Sequence, residues 1–410
     1  MKFLILTQYY LPETGAPPNR LYQLAKRLKH MGVEVAILTA MPNYPEMKVH
    51  DGYKGKLYCR EEIGGILVHR CWIFTGKSKS IIFRLINYFS FVKSAFLVGA
   101  WKTGKQDIIF CESPPLFLGI TAWLLTKVKG ASLIFNVSDL WPESAEKLGL
   151  VSNKLLLRAS TKLEEFLYRN SLMVTGQTQG IVKNISNRFP QKTVHWLKNG
   201  VDSADLDAIP ESMNWREAAG FKSGDFLLLY AGILGYAQGL EVILQAASHL
   251  RDKKEVKFLL VGSGPVRDEM ISLKEELQLD NVFFYDNRPK ADVIPFVRGA
   301  DVAIIPLRKL ELFKGAIPSK IFENLALKKP VLLGVEGEAR ELIIGEGKAG
   351  WAFEPGNGDD LAERIRYLLE HKELLKEAGQ NGFDYLQREF NLDLIAREFL
   401  DIVKSKLNAP

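Results

Sequence analysis

Short apolar runs alternate with amphipathic stretches along the chain, and the alternation occurs twice. The run KFLILT (2–7) precedes PNRLYQLAKRLKHMG (18–32), where Leu21, Leu24, Ala25 and Leu28 recur at helical spacing until Gly32 stops the pattern. VEVAILT (33–39), DIIFC (107–111), SLIFNVS (132–138) and LMVTG (172–176) read as further strands separated by helical stretches. The pattern breaks over the polar residues 196–215 and restarts with FLLLYAG (226–232), VKFLLVG (256–262), VFFY (282–285), DVAIIPL (301–307) and PVLLG (330–334). This order predicts an α/β fold with two doubly wound parallel-sheet domains, each sheet covered by helices on both faces. Ligands of such sheets bind beyond the C-terminal ends of the strands. A last helix, 391–407, is apolar through Ile395, Phe399, Ile402 and Val403, and either domain could receive it.

Composition narrows the function. The 410 residues are 47% hydrophobic and 25% charged, as in ordinary globular proteins of at least two domains. Cys59, Cys71 and Cys111 form no C-x-x-C pair, which fits a reducing cytoplasm and argues against a structural zinc site. The first apolar run is too short for a signal segment. The net charge of +6 is uneven: residues 63–106 contain no Asp or Glu and carry seven cations, among them Lys77, Lys79, Arg84 and Lys93. Residues 81–100 are too interrupted by polar groups to span a bilayer. They read either as a basic amphipathic helix on an anionic membrane or as a core helix with solvated cations. Nucleic acid is disfavoured, because the aromatics are flanked by long aliphatic residues.

Three loops at strand ends suit an anionic ligand: LPETGAPPNR (11–20), YAGILGYAQGL (230–240) and VGSGP (261–265). Neither a P-loop nor a G-x-G-x-x-G motif occurs, so a dinucleotide oxidoreductase is disfavoured. In GAIPSKIFENL (315–325), Lys320 and Glu323 share one helical face, as a surface ion pair or as contacts to a ligand. In SDLWPES (138–144), Asp139 either orients a hydroxyl or acts as a base, or else Ser138 or Asp139 caps a helix beginning near Pro142. Asp205 and Asp207 lie in the polar boundary loop rather than after an apolar strand, and no metal site is assigned there.

With PETGAPPNRL, DLWPES, KNGVD, AGILGYAQGL, VGSGP and PSKIFE, the whole chain resembles the family-4 retaining glycosyltransferases of the GT-B fold. It is most similar to the bacterial surface-polysaccharide subgroup that includes L-fucosamine transferases. The resemblance implies an N-terminal acceptor-binding domain (1–205, with 63–106 facing the membrane) and a nucleotide-sugar domain (206–388). A C-terminal helix (389–410) would pack back on the first domain. It further implies that Gly15, Ala16 and Arg20 approach the phosphate, with Gly232, Gly235, Gln238, Gly262 and Gly264 in the donor loops. Arg288 would lie near the base, Ser319 and Lys320 at the diphosphate, and Glu323 at the ribose. Asp139 and Lys320 are the candidate catalytic residues. Two positions depart from the family pattern. The first glutamate of E-x7-E is Gly315, and the usual donor-loop Arg and Lys are Ile233 and Gln238.

The implied activity moves an N-acetylated amino or deoxy sugar from a UDP-sugar to a polyprenyl-diphosphate-linked saccharide. It needs no metal or other cofactor and takes place at the cytoplasmic face of the membrane. The other readings are a UDP-sugar epimerase of the same architecture and a non-catalytic nucleotide-binding subunit.

Overall fold

The computed structural model describes the chain apart from residues 14, 45–46, 77–80, 148–150, 152, 203–205, 207–208, 210–214 and 409–410. Lys77, Lys79, Asp205 and Asp207 therefore lie outside the described residues, as does the side chain of Arg84. The chain divides into two compact units. One comprises Met1–Asn199 with Leu392–Pro410, the other Gly200–Asn391. The family resemblance places these boundaries at 205 and 388.

The first unit holds β1 (Lys2–Leu6), β2 (Glu34–Ala40), β3 (Tyr58–Ile63), β4 (Ile66–Cys71), β5 (Ile108–Ser113), β6 (Ser132–Val137), β7 (Met173–Gly176) and β8 (Val194–Trp196). Their order is β3-β4-β2-β1-β5-β6-β7-β8, parallel except for the antiparallel β3–β4 hairpin. Gly64 and Gly65 turn that hairpin with φ of +56° and +74°, a conformation costly for other residues. In β1, Phe3 and Ile5 enter one apolar core and Leu4 and Leu6 the other, so an unbroken apolar run is what a strand buried on both faces requires.

Helix α1 (Ala16–His30) begins after Gly15, with Pro17 and Pro18 at its start, where missing N–H groups cost no hydrogen bond. It covers the Phe3/Ile5 face together with the C-terminal helix Leu392–Leu407. Phe399 of that helix sits edge-on to Phe3 and Phe110, with centroids 6.2 and 5.9 Å away, and Arg27 meets Asp393 at 2.8 Å. The other face is covered by α2 (Ile81–Lys102) and α3 (Leu118–Lys129).

Helix α2 is buried along one side and exposed along the other. Phe91 and Ala95 are fully buried, and Asn87 is a buried link that accepts from Gln8 (3.2 Å) and donates to the Phe74 carbonyl (2.5 Å). The outer face leaves Phe89, Leu97 and Trp101 exposed, Trp101 to 83%. Among the described residues, no helix is long and apolar enough to cross a membrane.

The second unit contains β9 (Phe226–Ala231), β10 (Val256–Val261), β11 (Val282–Tyr285), β12 (Val302–Pro306), β13 (Val331–Gly334) and β14 (Gly350–Ala352). All pairs are parallel, in the order β11-β10-β9-β12-β13-β14. Strand order reverses between β9 and β12, as it does between β1 and β5 in the first unit. Such switch points leave a crevice at the strand ends.

Because Phe399 is fully buried against two rings, Phe399→Ala should destabilise the first unit by about 3–5 kcal/mol. Guanidinium unfolding monitored separately for the two units should show the loss in that unit alone.

Candidate active site

The second unit gathers its candidate residues where β9 and β10 end. The ladder of these strands continues into their loops: Gly232 donates to the Val261 carbonyl (2.9 Å), Leu234 to that of Ser263 (2.9 Å), and Val266 back to that of Leu234 (3.1 Å). The approach is close enough to demand glycine. A Cβ on Gly262 would lie 2.0 Å from the Gly232 oxygen, and its φ of +145° disfavours any side chain. The glycines at 232 and 262 thus let two loops interlock. Gly264 meets the same constraint against Leu234, whereas Gly235 is relatively open.

Lys320 completes this corner. It opens the helix Lys320–Ala326 and lays its ammonium 3.7 Å from the centroid of the Tyr230 ring. A Cβ on Gly232 would be 2.9 Å from Nζ, so the missing side chain makes the space that Lys320 fills. The Tyr230 hydroxyl donates to the Ile233 carbonyl at 2.6 Å, fixing the ring. Burial disfavours the charged form and pulls the Lys320 pKa down to about 7, while the nearby Glu323 carboxylate opposes that shift more weakly. The pair is therefore not two solvated surface charges. Ser319 is exposed at the helix start, and Glu323 is half-buried one turn into the helix. Among the described residues, none hydrogen-bonds to the buried Oε1 of Gln238. Arg288 is exposed, with its guanidinium 5.4 Å from the Phe296 ring centroid.

In the first unit, a polar network crosses the ends of β5, β6 and β7. Arg20 reaches Glu112 at 2.6 Å and Ser138 at 3.1 Å. Ser138 also donates to Glu112. Asn136 donates to the other Glu112 oxygen at 2.6 Å and accepts from Thr175 at 2.6 Å. One guanidinium nitrogen of Arg20 is therefore matched by a buried carboxylate, while its buried Nε has no hydrogen-bond partner among the described residues. Gly15 and Ala16 are exposed at the start of α1.

Asp139 is half-buried and accepts from Ser144 at 2.8 Å, beside the short helix Glu143–Lys147. Burial, the largest influence, raises its carboxyl pKa, bringing it closer to a usable base. Ser138 turns to Glu112 instead of capping that helix. Glu13, which sequence reading passed over, is buried and accepts from the backbone N–H groups of Tyr10, Asn43 and Tyr44. An acid inside a Pro- and Gly-rich loop was its only signal. Among the described residues, no group of three or more His, Cys, Asp or Glu could hold a metal ion.

Two family matches tile most of the chain. Residues 15–200 match the glycosyl transferase 4-like domain, and residues 211–385 match glycosyl transferases group 1. The chain belongs to the group 1 glycosyltransferases. It is 26% identical to WcaI of Escherichia coli, named for colanic acid biosynthesis, over 98% of this chain and 100% of that protein. It is 23% identical to the D-rhamnosyltransferase WbpZ of Pseudomonas aeruginosa, over 93% and 90% of the two chains. Anabaena HepE, solved with UDP and glucose, superposes with a TM-score of 0.70 at 19% identity, covering 99% of this chain and 100% of that one. The glycosyltransferase has the GT-B fold, with two parallel-sheet α/β domains in succession.

The loop interlock gives a direct test. Gly262→Ala must push the Gly232 backbone away, and with it the wall beside Lys320. The expected loss is about 1–3 kcal/mol in the unfolding of the second unit, measured by guanidinium denaturation.

Proposed function

We propose that this glycosyltransferase moves a sugar, an N-acetylated amino or deoxy sugar, from a UDP-sugar to a polyprenyl-diphosphate-linked saccharide during surface-polysaccharide synthesis. The observation that carries the donor reading is the half-desolvated Lys320 ammonium, held over Tyr230 at the ends of β9 and β10. A departing diphosphate develops negative charge, and a prepositioned cation in a poorly solvated corner stabilises it strongly. Glu323 accepts from the ribose hydroxyls in this reading, and Gly232, Gly235, Gly262 and Gly264 let the backbone approach the phosphates. WcaI supports the polysaccharide setting, WbpZ supports a deoxy sugar, and HepE supports UDP as the carrier.

The sugar leaves with retention by front-side attack. A leaving phosphate oxygen takes the acceptor proton, and Asp139 orients the acceptor hydroxyl. No metal takes part, because Lys320 and backbone N–H groups balance the diphosphate. The exposed face of α2, with Lys93 and Lys102 among Phe89, Leu97 and Trp101, rests on the inner surface of the membrane.

Lys320→Ala should lower turnover by about 10²–10³, and turnover within a few-fold of wild type would remove Lys320 from the phosphate site. Glu323→Gln should chiefly raise the UDP dissociation constant. The pH dependence follows from the depressed pKa. Diphosphate binding favours the ammonium and raises its pKa in the complex. UDP affinity is therefore full below about pH 7 and declines as pH rises through 7 toward that raised value. Lys320→Arg, charged throughout, should flatten the decline in a calorimetric titration series.

A further inference from the structure

A cavity of about 260 Å³ lies at the C-terminal ends of β2 and β4 in the first unit. Met41 and Ile73, both buried, line it from the core, and Tyr53, Trp72 and Phe74 add aromatic surface. Lys56 is exposed among them, with its ammonium 5.8 Å from the Tyr53 ring centroid and donating to the Gly52 carbonyl at 2.9 Å. Neighbouring charges cancel pairwise: Lys54 meets Asp51, and Arg70 meets Glu61. Among the described residues, no carboxylate pairs with Lys56.

The cavity opens beside exposed apolar surface. Trp72 is 40% exposed and donates its backbone N–H to the carbonyl of Leu57, itself 74% exposed. Ser94 of α2 donates to the Trp72 carbonyl. Leu97 and Trp101, about one and two turns beyond Ser94 on the same side of α2, extend the exposed apolar surface. A cavity with apolar residues at its base and one cation that no carboxylate pairs among the described residues, set beside such a patch, suits an amphiphile with an anionic head next to a hydrocarbon chain. A free sugar has no use for the Met41 and Ile73 surface, and a bilayer surface does not enter a cavity.

We propose that this cavity takes the head-proximal isoprenoid segment of a polyprenyl-diphosphate lipid, with Lys56 against its diphosphate. The proposal rests on the lipid-linked acceptor argued above and gives that acceptor a specific seat. Its volume is too small for a whole chain, so the remainder of the lipid would run along Leu57, Leu97 and Trp101 to the membrane.

Farnesyl diphosphate, inorganic diphosphate and phosphatidylglycerol vesicles serve as probes of the full chain, by calorimetry for the first two and co-sedimentation for the vesicles. The expected result is farnesyl diphosphate binding at least tenfold tighter than inorganic diphosphate. Lys56→Ala and the plugging substitution Thr75→Trp should each weaken farnesyl diphosphate binding tenfold or more, with UDP affinity and vesicle binding unchanged. Lys56 is exposed, so its variant should fold normally even if Thr75→Trp does not. Equal affinity for the two diphosphates overturns the proposal, as does binding unaffected by Lys56→Ala. Loss of vesicle binding in step with farnesyl diphosphate binding also overturns it, by making Lys56 a general phospholipid contact. None of these measurements needs a donor or turnover. Failure here with UDP affinity still dependent on Lys320 sinks only the lipid seat, whereas UDP affinity indifferent to Lys320 sinks the donor reading.

Discussion

A parallel strand buried on both faces has room for polar chemistry only at its ends. In the first unit that constraint acts on β1, whose Phe3, Leu4, Ile5 and Leu6 are fully buried; in the second it acts on β9. Polar side chains and close backbone approaches therefore gather at the carboxyl edge: Glu112 at the end of β5, Ser138 after β6, Gly232 after β9 and Gly262 after β10. There the strands hold the loops, and the loops hold each other through backbone bonds that continue the ladder. The result is a rigid corner, which electrostatic stabilisation of a transition state requires, because dipoles already in place need not reorganise.

Charge is distributed unequally between the two units. In the first, Arg20, Glu112, Ser138, Asn136 and Thr175 bond to one another, and the Arg20 charge is balanced by Glu112, so the network acts to fix geometry. In the second, Lys320 lies against an aromatic face, and its desolvation outweighs the help from Glu323. The cation is held at some cost to itself, and an arriving anion relieves that cost. A cation–π contact contributes about 0.5–2 kcal/mol toward holding the ammonium in place.

Much of the fold was legible because buried parallel strands announce themselves as apolar runs. KFLILT and FLLLYAG became β1 and β9, and the apolar face of the C-terminal helix named Ile395, Phe399 and Val403 before their partners were known. The β3–β4 hairpin escaped, although Gly64–Gly65 marked its turn. So did β14, whose three residues are too few to show a period. At the site, the residue types were readable and their partners were not. Nothing in sequence spacing sets Arg20 against Glu112, 92 positions away, or puts the ring of Tyr230 beneath Lys320. The glycines were read as openings for phosphate, yet Gly262 is required first by the Gly232 oxygen. Residues 81–100 could not be resolved by pattern because the helix is both core and surface.

The C-terminal helix belongs to the same unit as β1, so the second unit is an insertion between two parts of the first. During synthesis, Gly200–Asn391 leaves the ribosome complete and can fold on emergence, while the older segment waits. Until Leu392–Leu407 arrives, the apolar side of Phe3, Ile5 and Phe110 lacks one of its covers. The first unit to be made is thus the last to be finished, and a premature stop near the end would leave its damage at the opposite end of the sequence.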